Sequence, residues 1–171
     1  MSDTRDRIYR HIESHPGIHF RKLTRTLDLA TGQVQYHLAR LDRVDSESVN
    51  GRTHYYAASF DRWERHAIAF LRRETARDVL VTLIEREATS PGEVADHLDI
   101  ARSTLEHHLD GLVEYDIVAK RRHEGRVTLA LCRPESTVEL LAAVDPTAPD
   151  RLSDRFTRLL DRLFESGYSN N

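Results

Sequence analysis

Leu27-Asp-Leu-Ala-Thr-Gly-Gln-Val-Gln-Tyr-His-Leu-Ala-Arg-Leu41 decides how this chain is read, because the chain carries it twice. At an offset of 71 residues stands Leu98-Asp-Ile-Ala-Arg-Ser-Thr-Leu-Glu-His-His-Leu-Asp-Gly-Leu112, with six of 15 positions identical and two more aliphatic in both copies. The same ungapped offset brings Ile8 and Ile12 onto Val79 and Leu83, and Leu23 onto Val94. Self-similarity at a fixed spacing marks a repeated supersecondary unit.

Working outward from the first copy identifies that unit. Residues 3–14 place Ile8, Tyr9 and Ile12 at helical spacing, and Pro16-Gly17 ends that helix. Residues 20–28 form a short helix with Phe20, Leu23 and Leu27 on one face, followed by a break at Asp28-Leu29-Ala30. A third helix over 31–43 turns Val34, Leu38 and Leu41 inward. Asn50-Gly51 then centres a hairpin, because a type I′ turn needs positive φ at both of its positions. Helix, short helix, turn, helix, hairpin is the order of a winged helix-turn-helix. The second copy repeats it, with helices over 76–87, 91–98 and 102–115. Ser90-Pro91-Gly92-Glu93 is a capping box with proline at the first helical position. Its hairpin runs from Ile117 to Arg122 and from Arg126 to Leu131, and the first strand is expected to be about three residues longer than in copy one.

The expected fold is mainly α with small β-hairpin wings. Winged units over 1–59 and 76–133 are joined by a linker helix over 60–75, and C-terminal helices occupy 134–171. Trp63, Ala67, Phe70 and Leu71 give the linker its apolar face, and it is open whether that helix runs on into the next. A helix from Pro134 to about 144 is broken by Asp145-Pro-Thr-Ala-Pro149. The last helix, about 150–166, carries a wide stripe of Leu152, Phe156, Leu159, Leu160, Leu163 and Phe164. That stripe is expected to pair two copies of the chain in a homodimer; packing within the chain is the alternative.

Composition bounds the function. The chain has 171 residues and 19.7 kDa, with 39% apolar and 31% charged residues and a net charge of −3. It holds no apolar run long enough to span a bilayer and no secretory signal in MSDTRDRIYR, so no membrane partner is expected. A single cysteine, Cys132, excludes a disulfide framework. These features together predict a soluble cytoplasmic protein. Residues 1–60 carry 9 basic and 7 acidic side chains, whereas residues 61–171 carry 16 and 21, so a polyanion would prefer the first third. Only Lys22 and Lys120 among the 25 basic residues are lysines. Arginine reads the planar acceptors of bases and phosphates better than lysine does, although a compositional bias accounts for the same count.

Helix 31–43 is the informative segment. With its aliphatic residues inward, it exposes Gly32, Tyr36, Arg40 and Arg43, flanked by Gln33 and Gln35, with Thr31 at its amino end. No acidic residue occurs from Ala30 to Leu41. Amides pair with adenine, and arginine pairs with guanine or phosphate. Such a face suits a recognition helix in the major groove. Arg21, Lys22 and Arg25 on the short helix, Arg43, and Arg52 and His54 on the wing are candidates for the DNA backbone. The second copy is less clear. Arg102, Ser103 and His107 lie on the matching face, but Glu106 and Asp110 interrupt it. Its wing carries Lys120, Arg121, Arg122 and Arg126. It reads either as a second, weaker DNA contact or as a scaffold, dimerisation or sensor unit. Glu93, His97, His107 and His108 lack a metal-ligand spacing, and no catalytic signature is visible, so neither a metal, a cofactor nor an enzyme activity is expected.

Phe20-Arg-Lys-Leu, the segment 27–41 and Asn50-Gly-Arg-Thr-His-Tyr-Tyr together resemble winged-helix transcriptional regulators of the ArsR/MarR-like kind, and the doubled unit resembles the tandem regulators common in archaea. The resemblance covers residues 3–58 well and 76–132 moderately. It implies a dimeric repressor or activator with Thr31, Gln33, Gln35, Tyr36 and Arg40 at base-reading positions. The metal-ligand pattern of the ArsR sensors is absent. The function expected is sequence-specific binding of double-stranded DNA by a transcriptional regulator. The alternative is a winged-helix adaptor that binds proteins of the transcription machinery. Any small-molecule effector is unknown.

Overall fold

In the computed structural model, α1 (Asp3–Ser14) begins the first of two units, Met1–Arg72 and Arg73–Asn171. The structure describes residues 3–57, 59–86 and 88–148, together with Asp161. Ile8 and Ile12, one turn apart on α1, are fully buried. The chain then reverses at Pro16-Gly17, where Gly17 has φ +75° and a Cβ would run into Ile68. A short strand β1 (Ile18–His19) leads directly into α2 (Phe20–Leu27). The ring of His19 caps that helix, its Nδ1 accepting the Lys22 N–H at 3.3 Å. Asp28 ends α2 in the left-handed region, and α3 (Thr31–Leu38) follows. Ile8, Ile12, Ile18, Leu23 and Val34 form the core, covered by Phe20, Leu38, Leu41 and Tyr55 among others.

α3 is shorter than the expected 31–43. After Leu38 the chain tightens, with Arg40 and Leu41 bonding back three residues to His37 and Leu38. This turns Leu41 and Val44 onto the core before β2 (Asp45–Val49) starts. Arg40 and Arg43 therefore stand on turns. β3 (Arg52–Tyr56) is the central strand of a sheet ordered β1-β3-β2, with Ile18 opposite Tyr55 and Val49 opposite Arg52. Asn50 and Gly51 both have positive φ, as the hairpin signal requires.

Residues 60–75 do not form one linker helix. α4 (Arg62–Leu71) is part of the first unit, and a break at Arg72-Arg73 separates it from α5 (Glu74–Glu85). Asp61 and Glu64 form a capping box at the start of α4. Tyr56 Oη donates to Arg65 O at 2.7 Å, and Arg65 Nη2 pairs with Asp45 Oδ2 at 2.7 Å. These bonds tie α4 to the wing strands.

The second unit continues with α6 (Pro91–Leu98), α7 (Arg102–Glu114), β4 (Val118–His123), β5 (Arg126–Leu131) and α8 (Pro134–Val144). Its core includes Val79, Leu80, Leu83, Val94, Leu105, Leu109 and Leu112. A single bridge between Thr89 and Leu129 stands where Ile18 meets Tyr55 in the first unit. The three extra residues of copy two lie after the third helix: one in the wing's first strand and two in the connection before it, residues 115–117 against Val44 alone, while the third helix spans the same positions and only stays helical further, to Glu114. α7 has 13 residues against eight in α3, whereas β4 has six against five in β2. The C-terminal stripe Leu152, Phe156, Leu159, Leu160, Leu163 and Phe164 lies outside the described residues. Among the described residues no helix is long and apolar enough to cross a membrane.

Candidate nucleic-acid interface

α2, α3 and the wing of the first unit enclose a cleft of about 870 Å³. Arg21, Lys22 and Arg25 enter it from α2, Gln35 from α3, and Arg52 from the wing. No carboxylate lines it. Phe20, Leu38 and Tyr55 supply its apolar lining, and these side chains also cover the core. The cations are thus held on elements packed against one core, with the wing carried by the sheet.

The positive field is legible in His19. Its pKa is lowered, first by burial and then by Arg52, Lys22, Arg25 and Arg21. Sequence reasoning passed over this residue. The available signal was its place at the start of α2, since its side chain is the helix cap. The geometry also corrects the expectation for His54. Its ring is buried in β3, with Nδ1 2.7 Å from the carbonyl of Gly17. It faces inward because alternate residues of a strand point to opposite faces, so His54 is structural and is not presented to a DNA backbone.

α3 presents Thr31, Gly32, Gln33, Gln35 and Tyr36 to solvent. A Cβ at Gly32 would meet nothing within 4 Å, so the backbone there is open to close approach. Gln33 Oε1 accepts the Ala30 N–H at 3.3 Å and so caps its own helix. Gln35 reaches the cleft instead. Tyr36 is 53% exposed, the one large apolar side chain so exposed among the described residues. The Arg40 guanidinium lies 3.6 Å over its ring and donates from Nη1 to the Tyr36 carbonyl at 3.0 Å. This stack presents a flat cationic surface at the end of the helix. Arg43 lies 4.8 Å over Tyr9 of α1.

The second unit has a counterpart cleft of about 720 Å³ lined by Arg102, Arg126 and also Glu93. Lys120 Nζ is 2.7 Å from Glu106 Oε2, and Arg102 Nε is 3.4 Å from Glu106 Oε1. Those two cations hold the Glu106 carboxyl below its usual range, Lys120 contributing most. Lys120 and Arg102 are therefore engaged within the unit. Ser103, His107, Arg121, Arg122 and Arg126 are exposed. Glu93 accepts from the backbone and hydroxyl of Ser90 and from Thr89. His97 lies 3.2 Å from Arg86 and the His107 and His108 rings pack edge to face. Among the described residues no three of His, Cys, Asp or Glu gather in a metal-binding group.

Residues 2–68 match a family described as an N-terminal helix-turn-helix domain, and residues 71–121 match one described as a helix-turn-helix domain. The first match ends inside α4, in keeping with the place of that helix in the first unit. The chain thus carries two helix-turn-helix domains in tandem, each followed by a β-hairpin wing. It is 26% identical over 130 residues to an uncharacterized HTH-type transcriptional regulator of Methanocaldococcus jannaschii. That match takes in 74% of this chain and 33% of the relative, so the chain spans about a third of the length of the curated protein it matches.

Proposed function

We propose that this chain is a sequence-specific regulator that binds double-stranded DNA through its first unit. The observation that carries this reading is the cleft lined by Arg21, Lys22, Arg25 and Arg52 without a carboxylate, beside the exposed face of α3. The amino-terminal half of α3 enters the major groove. Gln35, Thr31 and the Tyr36–Arg40 stack meet base edges, and Gln33 joins them through its amide nitrogen. The four cations and Arg43 meet phosphates. Phosphate contacts set register and base contacts set sequence.

A gel-shift titration against the promoter region of the protein's own gene, at two salt concentrations, tests the reading. Gln35→Ala is expected to cost about 1–3 kcal/mol at the cognate site and little on unrelated duplex. An unchanged ratio of specific to non-specific binding would sink the assignment of α3.

The second unit favours a different role. Glu93 and Glu106 sit where phosphates would have to approach, which suits a scaffold or a protein-binding surface better than base reading. The whole protein acts as a homodimer, held by the stripe from Leu152 to Phe164, with its two α3 helices on half-sites one or more turns apart. Truncation after Asp145 is expected to give a monomer by light scattering with most of the operator affinity lost. A truncated protein that stays dimeric and binds normally refutes that role for the stripe.

A further inference from the structure

A second, smaller cleft of about 340 Å³ adjoins the duplex-facing one in the first unit. His11, His15, His19, Lys22, Arg25 and Arg72 line it, with no carboxylate among its lining residues. Lys22, Arg25 and His19 line both clefts. The volume is at the small end of the range for ligand pockets, about 300–1,000 Å³. The duplex reading uses Lys22 and Arg25 but gives no role to His11, His15 or Arg72.

The imidazoles are arranged for an anion. His11 and His15 stack with centroids 4.2 Å apart. His15 Nδ1 lies 3.0 Å from both the His11 carbonyl and Ser14 Oγ, so its contacts with its own helix are made through Nδ1. His11 Nε2 is buried and has no hydrogen-bond partner. His19 accepts on Nδ1, so its Nε2–H is left as a donor. The groups that face His11 are His15, Arg72 and Lys22, and those that face His19 are Arg52, Lys22, Arg25 and Arg21. Burial first, and then these neighbours, hold both rings below their ordinary pKa. With the cleft empty, the imidazoles are held neutral beside the like charges of Lys22, Arg25 and Arg72, and an anion offsets both the burial and the repulsion.

We propose that this cleft binds a phosphate group, free or carried by a small metabolite, and that the ligand and the duplex exclude each other through Lys22 and Arg25. Binding draws protons onto the histidines, so affinity for the anion rises as pH falls. The exclusion rests on the DNA-binding reading above, whereas occupancy of the cleft does not.

The intact protein is titrated with inorganic phosphate, with glycerol phosphate and with sulfate while histidine ring resonances are followed by NMR. Sulfate keeps its charge across the range and isolates the imidazole contribution. Saturable shifts of His11, His15 and His19, tighter at about pH 6 than at about pH 8, are the expected result. A stronger response to glycerol phosphate than to inorganic phosphate assigns the site to a metabolite, and the reverse assigns it to free phosphate. In a separate anisotropy assay at constant ionic strength, replacing chloride by the preferred anion is expected to weaken duplex binding by about fivefold or more. His15→Ala, an exposed change, is expected to remove both responses and leave duplex affinity in chloride unchanged. Non-saturable shifts, or shifts that persist in both His15→Ala and His11→Gln, overturn the site. Saturable shifts with unchanged duplex affinity overturn the exclusion alone. A protein that binds no duplex leaves the NMR result to decide the site while refuting the DNA reading.

Discussion

The two units share one plan and differ in charge where a polyanion would lie. At the 71-residue offset, Lys22 and Arg25 of α2 become Glu93 and Asp96 of α6. Gln35 of α3 becomes Glu106 of α7, and Arg40 and Arg43 become Gly111 and Glu114. The aliphatic positions are kept: Ile8, Leu23 and Val34 answer to Val79, Val94 and Leu105, and all six are buried. Arg52 and Arg126 occupy matching wing positions, each opening the second strand. Shared core residues preserve the fold, and exposed ones are free to diverge because solvent accepts either charge. A common scaffold therefore does not imply a common partner. Glu106 illustrates the difference: it pairs with Lys120 and Arg102 and offsets part of the positive charge of the second unit's surface.

Importing the second unit's charges into the first should have the largest effect. Lys22→Glu with Arg25→Asp is expected to lower duplex affinity roughly a hundredfold and to flatten the salt slope by about two units. Gel shifts over a salt series check it, and an unaltered slope would move α2 away from phosphate. Gln35→Glu imports the residue of α7 and is expected to cost about 1–3 kcal/mol at the cognate site. The exchange in the other direction, Glu106→Gln, frees Lys120 and Arg102. It should tighten binding several-fold and steepen the salt slope if the second unit reaches the duplex. No change there confines DNA to the first unit. Arg121→Ala with Arg122→Ala tests the same point from the wing, with a slope shallower by about one to two units as the expected result.

The smallest effect concerns the second unit's stability. Bonds from the Ser90 backbone, the Ser90 hydroxyl and Thr89 hold the Glu93 carboxyl below its ordinary pKa. A carboxyl lowered in the folded state stabilises above its unfolded pKa, and that contribution is lost as pH falls through the folded value. Glu93→Gln is therefore expected to lower the melting temperature of the second unit by a few degrees at neutral pH. The difference should fade in acid as calorimetry is repeated at lower pH. A constant difference across pH would mean that the capping box acts through shape alone.

Local signals were legible in the sequence because each acts over a few residues. The repeat, the Ser90 capping box, the Asn50-Gly51 turn and the inward faces of α1, α2 and α7 all rest on spacing or on backbone preference, and each appears in the structure where it was expected. The exposed, acid-free face of α3 was legible for the same reason. Long-range choices were not. Nothing within a few residues of His54 shows that its ring bonds to Gly17, 37 positions earlier. The amphipathic pattern of α4 shows a buried face but not the partner, which the Tyr56 and Asp45 contacts to Arg65 supply. The Glu106–Lys120 pair spans α7 and β4 and removes a cation that the wing sequence alone offers. The sequence by itself determined the order of helices and hairpin within each unit and that one unit occurs twice. Tertiary structure alone decided which charges meet, which are offset and which histidines are buried, because those outcomes depend on contacts between residues far apart in the chain.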